Sequence, residues 1–162
     1  MTLIAIDGPA GAGKTTLAKS LAEEISAHST VFVIHMDDLY EGWDDPLNED
    51  LTQRLKHLIH SHKSGNEIAF MKYNWKAMAF DDQELLLSTE VLIIEGVGAA
   101  QKIIRDEGAK TYWIDIDPEI GLQRVLLRDG LDTEPHMRVW QITQAKHFEM
   151  DRTRENCEFI LT

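Results

Sequence analysis

Residues 8–15 read Gly8-Pro9-Ala10-Gly11-Ala12-Gly13-Lys14-Thr15, the spacing G-x-x-x-x-G-K-[ST]. That pattern suits the holding of a chain of phosphates. Its glycines let backbone N–H groups turn inward around an anion, along a path that a Cβ would obstruct. A helix opening near Gly13 adds unpaired N–H groups and the positive end of its dipole. Lys14 has the reach for β- and γ-phosphates, and the Thr15 hydroxyl suits Mg²⁺. The expected nucleotide-binding set is Gly8, Ala10, Gly11, Ala12, Gly13, Lys14, Thr15 and Thr16, with ATP and Mg²⁺ as the ligands.

Phosphoryl transfer also needs carboxylates, to organise the metal and to take the acceptor's proton. Glu95 ends an apolar run at 91–94, where a Mg²⁺-organising acid belongs; the bland alternative is a strand-end carboxylate facing water. Asp37 follows a second apolar run at 31–34 and is the expected general base, with a metal-linked role as its alternative and Asp38 as the adjacent competitor. Arg124 and Arg128 lie four apart, on one helix face. They are either a surface pair bridging to Glu119 and Asp129, or two guanidinium groups of a lid brought onto the transferring phosphates. Residues 130–134 would be the tip of that lid, closing to exclude water. Tyr40, Trp43, Tyr73 and Trp75 cluster between the second and third strands, to stack on a planar base or to pack in the core. His57, His60 and His62 invite a metal reading, but His57 and His60 fall on the polar side of an amphipathic helix. Trp113 and Trp140 are expected in the core.

The elements that position these residues follow from periodicity. Residues 3–6, 31–34, 91–94, 111–116 and 158–161 read as five strands. Between them, Leu17, Leu21 and Ile25 mark one helix, and Leu47, Leu51, Leu55, Leu58 and Ile59 a second, opened by Asp45-Pro46 and closing near Gly65. Ile103 and Ile104 sit in a short helix, Asp117-Pro118 opens another that Gly130 ends, and a long last helix runs from 133 to about 155. Residues 68–73 suit a short strand or hairpin arm, and residues 74–88 are expected to be helical in part. Alternation of this kind predicts a three-layer α/β/α sandwich on a five-stranded parallel sheet, with a lid helix. In such sheets ligands sit outside the carboxyl ends of the strands, which selects the loop at 8–15, Asp37, Asp38 and Glu95.

The 162 residues suit one domain, with 38–90 as an acceptor-binding excursion and about 119–150 as lid and C-terminal helices. The net charge of -12 argues against nucleic acid or an anionic membrane as partner. Cys157 stands alone, so no intramolecular disulfide forms. The chain opens directly into a strand with no signal segment, and the expected location is the cytoplasm.

Taken together, the loop at 8–15, Met36-Asp37-Asp38-Leu39-Tyr40, Ile93-Ile94-Glu95-Gly96, Arg124 and Arg128-Asp129 resemble the uridine kinase-like branch of the P-loop kinases, in its short actinobacterial form. The resemblance implies transfer of the ATP γ-phosphate to the 5′-hydroxyl of uridine or cytidine. It implies Asp37 as base, Tyr40 lining the nucleoside pocket, Glu95 organising the metal and Arg124 and Arg128 meeting phosphates or substrate. The substrate-contacting set it suggests is Asp37, Asp38, Tyr40, Trp43, Tyr73, Asn74, Trp75 and Arg124. The chain departs from the family pattern at Asn74, where an aspartate usually meets the ribose hydroxyls, in its short acidic lid and in its length. The opening loop also resembles that of cytidylate kinases, although the L-D-T-G-x-x-Y stretch of that family is missing. A nucleoside monophosphate acceptor would call on Arg54, Lys56, Lys63, Lys72 or Lys76. Another small alcohol as acceptor, or a non-catalytic nucleotide-binding module, are the further alternatives. The GTPase motifs N-K-x-D and, after the third strand, D-x-x-G do not occur.

Overall fold

The computed structural model describes residues 1–162. Strands β1 (Thr2–Asp7), β2 (Val31–His35), β5 (Val91–Glu95), β6 (Lys110–Ile114) and β7 (Phe159–Leu161) form one sheet in the order β2-β5-β1-β6-β7. Every pairing in it is parallel. Strand β5, between β2 and β1, is buried along its whole length, as a parallel strand covered on both faces must be. Alternate residues separate the two faces. Ile4, Ile6, Val91 and Ile93 pack with Ala18 of helix α1 (Lys14–Ile25). On the opposite face, Leu3, Ala5, Leu92 and Ile94 join a larger cluster with Leu51, Leu55, Leu58 and Ile59 of α2 (Glu49–Lys63), Ile104 of α3 (Lys102–Asp106) and Trp140. Each fully buried Leu or Ile contributes on the order of 2 kcal/mol, so this layering fixes the strand ends from which the site is built.

The expected five-stranded parallel sheet is therefore present. Three local expectations are corrected. Helix α2 does not begin at Asp45-Pro46: Asp45 sits at a left-handed φ of 51°, and Asn48 is the cap, its side chain accepting from Leu51 N at 3.0 Å. Leu47 accordingly lies outside the helix. Residues 74–88 hold no helix. They supply β4 (Ala79–Leu86), antiparallel to β3 (Ile68–Asn74) in a separate two-stranded sheet. The turn is made by Asn74, whose carboxamide oxygen accepts from Lys76 N and Ala77 N at 3.0 and 3.1 Å, a local arrangement that competes with helix formation. The long last helix stops earlier than expected: α5 (Glu134–Asp151) is broken at Arg152, which has a φ of 52°, before the short α6 (Thr153–Asn156).

Helix α4 (Pro118–Asp129) begins as its sequence indicates, with the Asp117 carboxylate accepting from Glu119 N and Ile120 N, and it ends at Gly130. His57 and His60 are exposed on α2, whereas His62 turns inward and bonds the Thr2 carbonyl oxygen at 2.9 Å. Trp113 and Trp140 are both buried. No helix is long and apolar enough to cross a membrane.

Candidate active site

Three neighbouring strands of the sheet each end in an ionisable residue: β1 in Asp7, β2 in His35 and β5 in Glu95. Because β2 and β5 run in register with His35 opposite Glu95, these groups meet at one rim. A cleft of about 370 Å³ opens above them. Ala10, Gly11, Gly13, Lys14, Thr15 and Thr16 line its phosphate side, while Gly8 and Ala12 are buried and shape the turn from behind.

Backbone packing holds the phosphate side in place. Gly11 and Gly121 face each other so closely that a Cβ on either would collide with the other's chain segment, so the loop lies directly on α4. Gly13 starts α1 from a left-handed conformation, φ 96°. Lys14 Nζ donates to the carbonyls of Gly8 and Pro9, both at 2.8 Å, and its burial pulls the ammonium pKa down against the opposing pull of Asp7, Glu95 and Asp37. The Thr15 hydroxyl donates to Glu95 Oε1 at 2.9 Å. His35 Nδ1 lies 2.6 Å from that same oxygen, and this hydrogen bond holds the imidazole pKa above its ordinary value.

Two further side chains brace the loop. Gln144 of α5 is buried, and its Oε1 accepts from Ala10 N at 3.0 Å. Asp7 is fully buried, and its carboxylate accepts from Gly8 N at 2.7 Å, Gly98 N at 3.1 Å and Ala100 N at 2.8 Å. It thus ties the start of the phosphate loop to the turn that follows Glu95. Desolvation outweighs these bonds and pushes the Asp7 pKa up to about 6.

The other side of the cleft is aromatic. Tyr40, Trp43, Trp75 and Trp140 line it, with Asp37 where it meets the phosphate side. Crowding by protein, with repulsion from Glu95, raises the pKa of Asp37 above the usual carboxylate range. Asp38 does not line the cleft, and Lys72 Nζ pairs with it at 3.3 Å. The β3–β4 hairpin grips the same turn again through the Trp75 indole N–H, which donates to the Asp37 carbonyl oxygen at 2.9 Å. Tyr40 is buried and its hydroxyl donates to the Val97 carbonyl at 2.7 Å. Tyr73 and Asn74 do not line the cleft either. Tyr73 packs edge-on against Trp75 and Phe80, and Asn74 is consumed by its own turn and by Asp81, to which its Nδ2 donates at 2.9 Å.

Arg124 and Arg128 both reach the cleft wall from α4. Arg128 is paired with Asp129 at 2.6 Å, as the surface reading has it, and Arg124 makes a long contact of 3.4 Å to the Gly11 carbonyl. Glu119 pairs with Arg138 at 2.6 Å and leaves Arg124 alone. Sequence reasoning missed His35, Asp7 and Gln144. The signal for the first two was present, since each apolar strand run gives way to an ionisable residue at its carboxyl end. Gln144 had none, because its partner lies 134 residues away.

The AAA domain family matches residues 4–152. No curated protein matches the chain in sequence. Among solved structures, a possible uridine kinase from Bacillus stearothermophilus aligns at 18% identity with a TM-score of 0.74, covering 99% of this chain and 88% of that one. A candidate fructose transport system kinase from Silicibacter sp. TM1040 aligns at 20% identity and a TM-score of 0.68, covering 99% and 89%. Shikimate kinase from Bacteroides thetaiotaomicron aligns at 16% identity and 0.54, covering 98% and 84%. With its phosphate-loop rim and five-stranded parallel sheet, the chain has the fold of the P-loop kinases and belongs to the AAA domain family.

Proposed function

We propose that the protein is an ATP-dependent phosphotransferase that moves the γ-phosphate of ATP to a hydroxyl of a small molecule, the 5′-hydroxyl of a uridine- or cytidine-like nucleoside. The observation that carries this reading is the convergence at one cleft of Lys14, Thr15 and Glu95 with Asp37 and an aromatic wall. In this reading the loop N–H groups and Lys14 hold the β- and γ-phosphates, and Arg124 and Arg128 spread the charge that develops on the transferring group. The acceptor oxygen attacks the γ-phosphorus, Asp37 takes its proton, and the bond to the β-phosphate oxygen breaks to release ADP. The raised pKa of Asp37 strengthens its grip on that proton.

Magnesium fits the residues present. Mg²⁺ usually binds through one or two carboxylates, waters and substrate phosphates, without an all-protein cage. The Thr15 hydroxyl and the Glu95 carboxylate, 2.9 Å apart at the loop, are such a donor pair, with Asp37 as a further candidate across the cleft. The ion would neutralise phosphate charge there.

A monophosphate acceptor finds little support on the aromatic side. Arg54 is paired with Glu41, Lys56 with Glu49, Lys63 with Glu107 and Lys72 with Asp38 and Glu84. None of these cations, nor Lys76, lines the cleft. The test is ADP release from ATP and Mg²⁺ with and without uridine, cytidine or cytidine monophosphate. Stimulation by the nucleosides supports the proposal. Stimulation by the monophosphate alone, or nucleotide binding without turnover on any acceptor, contradicts it.

A further inference from the structure

We infer that His35 is a positioning residue for the phosphoryl transfer: its imidazole commits one oxygen of Glu95 to the protein and leaves the other to the metal ion. This inference rests on the phosphotransferase reading above and deepens it.

The strand register creates the contact. His35 and Glu95 are the last residues of β2 and β5 and stand opposite one another in the parallel pairing, so their side chains leave the sheet on the same face. His35 Nδ1 lies 2.6 Å from Glu95 Oε1. A carboxylate that binds a metal is deprotonated and only accepts, so Nδ1 is the donor. The Thr15 hydroxyl donates to the same Oε1 at 2.9 Å. A carboxylate oxygen has two lone pairs, and on Oε1 both are taken. Every hydrogen bond that the chain makes to this carboxylate goes to Oε1, and Oε2 receives none.

That asymmetry has a use. Glu95 lines the cleft and is only 5% exposed, so its carboxylate has little space in which to turn. Held by Thr15 alone, it would still be free to pivot about that hydroxyl and to present either oxygen. The imidazole removes this freedom. Mg²⁺ demands a near-ideal octahedral arrangement, so a ligand oriented in advance is worth affinity.

His35 acts through Glu95 and not by touching a ligand. It does not line the cleft, and its side chain is 45% exposed. Nor do the strands depend on it, because β2 and β5 are paired along their backbones from Val31 to His35. Loss of the imidazole is therefore felt at the carboxylate and not in the sheet.

The experiment is calorimetry of ATP binding to the full chain, with Mg²⁺ and with EDTA, which gives the factor by which the metal tightens the nucleotide. His35→Leu and His35→Phe both remove the donor but differ in bulk, so if circular dichroism shows one to be misfolded the other decides. His35→Asn restores a donor, its amide N–H standing as many bonds from the backbone as Nδ1 does. In the Leu and Phe variants the factor should fall by about 10-fold or more, with the ATP Kd in EDTA within about threefold of wild type. His35→Asn should stay within about threefold of wild type in both conditions. A wild-type factor in the donor-less variants, or an Asn variant that behaves as they do, overturns the inference. Equal weakening with and without Mg²⁺, the mark of a purely structural role, overturns it too, as does wild-type binding that Mg²⁺ does not tighten. The acceptor fails separately: if the metal factor behaves as expected but neither uridine nor cytidine stimulates ADP release, the nucleoside reading falls and the role of His35 stands.

Discussion

The two sides of the cleft are built by different physics. On the phosphate side the side chains are tied by hydrogen bonds: Lys14 on two carbonyls, Thr15 and His35 on Glu95, Gln144 on Ala10, and Asp7 on three backbone N–H groups. On the aromatic side rings lean on rings, and a single indole hydrogen bond reaches the turn that bears Asp37. A hydrogen-bonded rim fixes positions to fractions of an ångström, as a charged chain of phosphates requires. A stack of rings supplies area with loose geometry and can be reshaped by substitution. The difference is one of constraint: a network of hydrogen bonds drawn from several elements holds the phosphate loop, whereas ring packing dominates the aromatic wall.

Four substitutions break or sharpen that contrast. Lys14→Met strikes the constrained side and should lower acceptor-dependent ADP release by about 10³-fold with the circular-dichroism spectrum unchanged. Retention of a tenth of the activity would mean that the loop works without its ammonium. Next in size is the burial of Asp7. Its pKa of about 6 exceeds the 3.8 of a free aspartate, so the folded chain binds the extra proton between those values. This group's penalty is absent below about pH 4 and complete above about pH 6, so its contribution to stability falls as pH rises, by up to about 3 kcal/mol. Urea unfolding of wild type and Asp7→Asn from pH 4 to 7 checks it: their difference in unfolding free energy should narrow as pH rises, and a constant difference refutes it.

On the acceptor side the effects should be smaller and fall on one substrate. Trp43→Ala should raise the nucleoside KM about 10-fold through lost stacking and leave the ATP KM within about twofold. An equal change in both would show that the wall also supports the phosphate loop. Smallest is Trp75→Phe, which keeps a ring but loses the N–H on the Asp37 carbonyl. A single neutral hydrogen bond is worth about 1 kcal/mol, so kcat should fall about fivefold with the nucleoside KM nearly unchanged.

Legibility in the sequence followed the same divide. The phosphate loop, the five strands and the placement of Asp37 and Glu95 were readable because local chemistry dictates them: glycines at fixed spacing, continuous apolar runs, acids at strand ends. The excursion was harder to read. Asn74 looked like a ligand contact and proved to be a turn residue, and the polar residues of β4 hid a strand that pairs only with β3. Asp38 could not be set apart from Asp37 by sequence, because the difference is made by Lys72 on the hairpin. Gln144 was invisible for a similar reason, its role being set by how α5 crosses the loop.

The central claim is that Asp37 takes the proton of an acceptor held against the aromatic wall. The direct measurement pairs uridine-dependent ADP release with calorimetric ATP binding for wild type and Asp37→Asn. The substitution should lower kcat by about 10²–10⁴-fold and leave the ATP Kd within about threefold. Full turnover in Asp37→Asn, with ATP bound as before, would contradict the account.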